Sequence, residues 1–194
     1  MSTALTHSPM KALAAAALAA VAMTAALAPA QADAAPRKCY GPNTYEVGAT
    51  NSYARTFEKN GNVFVCVKAT GRTTQLQGAA ASEHTFAIAG QYVAWSSGSE
   101  GARLRVLYIP TRRTTFNWTS DRVEKIALKS NGAVAWAATP DDFPTYVQGT
   151  ERRNHSPNML SDDERSVDSS SLRISGGRAA WRYTDGTSGS GRLF

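Results

Sequence analysis

The sequence is short of the residues that most often mark chemistry. Its 194 residues include three histidines and two cysteines, and charged side chains make up 19%. Beyond residue 34 only His84 and His155 remain, with no short ligand spacing between them or to a cysteine, so a four-ligand zinc site has no pattern to rest on. Cys39 and Cys66 form no CxxC pair, which removes the thiol-redox motif. GxSxG, HExxH, a Walker loop and a GxGxxG opening a helix are also missing, so the common hydrolase, metalloprotease and nucleotide-binding signatures are excluded. No cofactor and no metal ion is implied. An amphipathic helix is missing after residue 35 as well, which points to an all-β chain.

The longest apolar stretch lies at the start. Ala12 to Ala30 is uncharged and built largely of Ala, Leu and Val, and QADA follows, with small residues at Ala32 and Ala34. This reads as a signal peptide over 1–34, cleaved after Ala34, rather than as a membrane anchor, because an alanine-rich run is weakly hydrophobic. The expected product is secreted and extracellular, with an N-terminal segment over 35–50 and a β-repeat domain over 51–194. No stable membrane insertion is expected after cleavage. Cys39 follows Arg37 and Lys38 rather than a small residue, which argues against lipidation. Two cysteines in an oxidising setting predict a Cys39–Cys66 disulfide closing a loop of about 27 residues.

The most informative feature is a repeat. FAIAGQYVAW (86–95), IALKSNGAVAW (126–136) and LRISGGRAAW (172–181) each alternate apolar residues, turn at a glycine and end a second strand on tryptophan. Alternation turns one side of each strand to a core, and the glycines allow the positive φ of tight hairpins. A divergent copy, YARTFEKNGNVFVCV (53–67), is expected to place Cys66 where the others place Trp95, Trp136 and Trp181. The anchors are then 29, 41 and 45 residues apart, close to the size of propeller blades. Further strands are expected over Ala102–Ile109 and at Tyr146–Val147, PTRRTTF is read as a turn and an edge strand, and Arg192–Phe194 as a short closing strand. Residues 154–171 read as a polar surface loop. Its acidic run Asp162, Asp163, Glu164 lacks the spacing of a calcium loop.

SLRISGGRAAW (171–181) close to the C-terminus, preceded by KSNGAVAW (129–136), resembles a pattern in a group of small exported proteins of actinobacterial type that carry propeller-like repeats and have no assigned chemistry. The likeness covers about residues 50–194. The Cys66 copy and the short last hairpin depart from it. The resemblance implies a small or incomplete β-propeller-like domain; a β-trefoil is the alternative fold, since about 160 residues with three tryptophan-bearing units also suit it. An incomplete ring would leave edge strands open to self-association.

Function is expected to be binding or structural rather than catalytic, at the cell surface or in the medium; the alternative is an extracellular hydrolase acting on glycan or peptide. Candidate surface contacts are the aromatic and arginine residues outside the core hairpins: Tyr108, Arg112, Arg113, Trp118, Tyr146, Arg152, Arg153 and Tyr183. Aromatics stack on sugar or peptide faces, and arginines pair with carboxylates or phosphates. An extracellular protein or a cell-wall glycan is the expected partner. The net charge of +6 favours anionic surfaces, but no nucleic-acid module is present and no such partner is expected.

Overall fold

Glycine-bearing turns between alternating strands generate one antiparallel hairpin after another. In the computed structural model the described residues are Cys39, Gly41, 44–79, 85–97, 101–150, 156–162 and 164–193. The signal-peptide reading over 1–34 falls outside them, as do Arg152 and Arg153. The described residues form fifteen strands and no helix.

The strands run in chain order through four antiparallel sheets. The first holds β1 (Thr44–Thr50), β2 (Ala54–Lys59), β3 (Asn62–Val67) and β4 (Thr73–Gln75); the second β5 (Phe86–Ala89), β6 (Tyr92–Ser97), β7 (Ala102–Tyr108) and β8 (Arg113–Ser120). The third holds β9 (Arg122–Leu128), β10 (Val134–Thr139), β11 (Tyr146–Thr150) and β12 (Asn158–Met159); the fourth β13 (Val167–Ser175), β14 (Arg178–Tyr183) and β15 (Ser188–Arg192). The chain is therefore an all-β, propeller-like repeat of four sheets, not the threefold arrangement of a trefoil. The β2–β3 turn shows how the sequence sets register. Asn60 and Gly61 both take positive φ, 53° and 74°, and Lys59 pairs with Asn62 across a two-residue loop.

Successive sheets pack face to face, and the repeated tryptophans sit at the contacts. Trp95 points back onto the first sheet, among Ala54, Val63, Val65 and Leu76. Trp136 points back onto the second, beside Leu104, Val106 and Phe116. Trp181 points back onto the third, where Ala133, Ala135 and Ala137 leave room for the indole. Burying side chains of this size contributes about 3 kcal/mol each, so these rows hold the repeat together.

The structure corrects the phase of the divergent copy. Residues 53–67 form β2 and β3, the second and third strands of their sheet, whereas the three tryptophan copies are first and second strands. Every adjacent pair in a four-strand meander is a hairpin, so a hairpin signature does not reveal which pair it is. Cys66 thus lies one strand beyond the tryptophan position. In β2 it is Phe57 that turns away from the second sheet, stacked on Phe64 with ring centroids 5.4 Å apart. The Cys39–Cys66 disulfide, with Cα atoms 5.5 Å apart, lies in this same cluster.

The polar stretch over 154–171 is less of a loop than its composition suggests. Met159 and Asn158 pair with Gln148 and Gly149, and β13 already begins at Val167. The closing strand is Ser188–Arg192, with Leu193 buried beyond it.

Candidate functional site

The second sheet carries a cross-strand row in which Trp95 stands opposite Arg105 and Arg105 opposite Asn117. Because directly opposed residues share a face, the row continues outward from the Trp95 contact as a cation and an amide. Across from it the first sheet ends in β4 and a turn carrying Gln75 and Gln77. The groove between them has a volume of about 430 Å³ and is lined by Thr74, Gln75, Gln77, Trp95, Arg105, Leu107, Arg112, Thr114 and Asn117.

Its floor is fixed by one carbonyl. The Gln77 oxygen accepts the Trp95 indole N–H at 3.2 Å and also a guanidinium N–H of Arg105. Gly78 permits that approach: its φ is +69°, and a Cβ there would stand 2.9 Å from Arg105 Nη1. Arg105 is therefore tied to the first sheet, and Asn117 stands opposite it on the neighbouring strand. Arg112 reaches the groove from the β7–β8 turn, where its φ is +57° and its N–H donates to the Ile109 carbonyl at 3.3 Å. A left-handed arginine is an uncommon conformation that the turn enforces. The same residue borders a smaller cavity of about 150 Å³ with Tyr53, Arg72 and Pro110.

A larger cavity of about 510 Å³ lies on the other face of the first sheet. Phe57, Phe64 and Cys39 give it an apolar floor, with Thr44, Lys59 and Thr73 at its sides.

Of the contact residues expected from sequence, Arg112 lines a cavity, and Arg113 is exposed at the start of β8. The aromatic candidates are placed differently. Tyr108 is half-buried against Tyr92, ring centroids 4.9 Å apart, and donates to Gln91 Oε1 at 3.0 Å. Trp118 is half-buried against the core between the second and third sheets. Tyr146 donates to Asp121 Oδ2 at 2.7 Å; burial first, and then this bond, push its pKa up to about 12. Tyr183 is buried rather than on the surface, edge-on to Trp181 and under the Arg165 guanidinium, which lies 3.8 Å from the ring centroid. Among the described residues no group of three or more His, Cys, Asp or Glu is arranged to hold a metal ion.

Sequence reasoning missed Arg105, Gln75, Gln77 and Asn117. The signal was present in ARLRVLYI, where Arg105 breaks an apolar strand, but its neighbour across the sheet gap is far away in sequence.

No protein-family model matches the sequence, and no curated protein matches it. Among solved structures, the chain is similar to the computationally designed Ika4 protein, with a TM-score of 0.55 and 16% identity over 81% of this chain and 96% of that one. It also matches TolB from Acinetobacter baumannii, with a TM-score of 0.41 and 15% identity over 71% of this chain and 39% of that one. The likeness to the designed protein shows a shared fold and nothing more.

Proposed function

We propose that the chain is an exported, non-catalytic β-repeat scaffold that binds an acidic portion of a cell-wall glycan in the groove between its first two sheets. The disulfide fits a compartment that keeps thiols oxidised. The observation that carries the reading is the lining of the groove. Two guanidinium groups, three side-chain amides and two hydroxyls converge on it, and the lining holds no carboxylate. Such a set favours a ligand rich in acceptors and negative charge, and Trp95 and Leu107 supply apolar surface beneath it.

Titration of the protein with a carboxylate-bearing wall oligosaccharide tests this. Binding is expected, weakened about tenfold or more by Arg112→Ala, since a charge-assisted hydrogen bond is worth about 1.5–3 kcal/mol. The same oligosaccharide with its carboxylates amidated is expected to bind poorly. Equal binding by parent and Arg112→Ala overturns the groove as the site, and release of new reducing ends points instead to an extracellular hydrolase.

A further inference from the structure

The fourth sheet has two faces of opposite character. One packs on the third sheet through Leu172, Ala179, Trp181 and Tyr183. The other carries Arg173, Arg178, Arg182 and Arg192. The register places them together: Arg173 faces Ala180, Arg178 faces Arg192, and Arg182 faces both Asp168 and Ser188. All four arginines are exposed. In each of the first three sheets the equivalent face is apolar and covered by the sheet that follows.

Charge on this face is poorly balanced. Arg178 and Arg192 stand directly opposite each other, an arrangement of like charges that weakens strand pairing. Arg178 donates through Nη2 to Ser190 Oγ at 3.1 Å, and Arg173 donates to the Ser171 carbonyl at 3.3 Å; these acceptors are neutral. Neither arginine makes an ion pair with another described residue. Asp168, at one margin, already accepts from the backbone N–H and hydroxyl of Ser170 at 3.0 and 2.7 Å.

We propose that this face docks a linear phosphodiester polymer of the glycerol-phosphate type, at a site separate from the groove. Guanidinium forks match phosphate oxygens two at a time. Arg178 and Arg182 are four residues apart on one strand, about 13 Å, and the three strands together span about 10 Å. An array of that size engages several phosphates of one extended chain, whereas a small anion meets a single fork. Among the described residues, those facing this way include no aromatic and no large aliphatic side chain, so none of them stacks on a nucleobase or enters a bilayer.

The test is fluorescence anisotropy of labelled poly(glycerol phosphate) titrated with the full chain. Binding is expected to fall steeply with added salt and to weaken about threefold or more in the triple variant R173S/R178S/R182S, since three exposed charge contacts are removed together. Thermal unfolding of that variant is the check that the fold is kept, with a Tm close to the parent's expected. R122S, on the third sheet, and R112A, in the groove, are expected to bind the polymer as the parent does, so the two proposed sites stand or fall separately. The proposal is overturned if the triple variant binds like the parent. It is also overturned if a single-stranded oligonucleotide or vesicles of phosphatidylglycerol bind as tightly as the phosphodiester polymer.

Discussion

The contact between the second and third sheets and the outer face of the fourth are built from the same kind of strand, yet they have opposite physics. At the first, Trp136 is fully buried beside Phe116, with ring centroids 5.8 Å apart, and its indole N–H donates to Ser120 Oγ at 3.0 Å. At the second, arginines and serines alternate where apolar residues would be, and they are exposed. The period-two pattern decides only that a strand has two sides. What each side carries decides whether another sheet covers it. Among the described residues, no apolar cluster joins the fourth sheet to the first, and the first sheet's corresponding side carries Phe57, Phe64 and the disulfide at the floor of a cavity.

Removing the indole is the strongest way to break this comparison. Trp136→Ala is expected to cost about 3–5 kcal/mol in chemical denaturation, because it empties a packed contact between two sheets. Loss of the disulfide comes next. The double variant Cys39→Ser/Cys66→Ser is expected to be less stable by about 3 kcal/mol, as closure of a loop of this length implies, and a reductant should lower the parent's Tm and leave the variant's unchanged. A loss of similar size in both proteins on adding reductant would sink that account.

Two tryptophans sharpen the comparison at smaller scale. Trp136→Phe takes one hydrogen-bond partner from the buried Ser120 hydroxyl, whereas the Trp181 indole N–H has no acceptor among the described residues and lies against Gly189. Trp136→Phe should therefore be the more damaging by about 1–2 kcal/mol, read from paired denaturation curves. Smaller still is the effect of acid on the fourth sheet's terminal turn. Asp185 accepts from the hydroxyl and backbone N–H of Thr187 and from Arg165, which lowers its pKa from 3.8 to about 2. A carboxylate whose pKa is lower folded than unfolded stabilises the fold above the unfolded value, and that contribution fades as pH drops from about 4 toward 2. Asp185 is exposed and Arg165 half-buried at the surface, so the change should be slight. NMR titration should give Asp185 a midpoint near 2, moving upward in Arg165→Gln.

Much of the architecture was legible because tryptophan, glycine turn and alternation recur together: three of the four sheets announce themselves in FAIAGQYVAW, IALKSNGAVAW and LRISGGRAAW. The first sheet was read one strand out of phase, since β2 and β3 make as good a hairpin as β1 and β2. The site was less legible. An aromatic residue in a strand looks the same whether it packs inward, as Tyr183 does, or faces solvent. The groove depends on Gln77 and Arg105, which are 28 residues apart and meet only when two sheets pack. The arginine face was hidden for another reason. Arg173, Arg178, Arg182 and Arg192 are scattered in sequence, and only strand pairing gathers them on one side.

The central claim, that this face of the fourth sheet lies open while its other face is a packed contact, is tested most directly by the stability of R173S/R178S/R182S in chemical denaturation. The account predicts a midpoint unchanged or slightly raised, within about 0.5 kcal/mol of the parent, as expected for exposed positions. A loss of several kcal/mol, comparable to that of Trp136→Ala, would contradict it and show that the arginines are packed against another part of the fold.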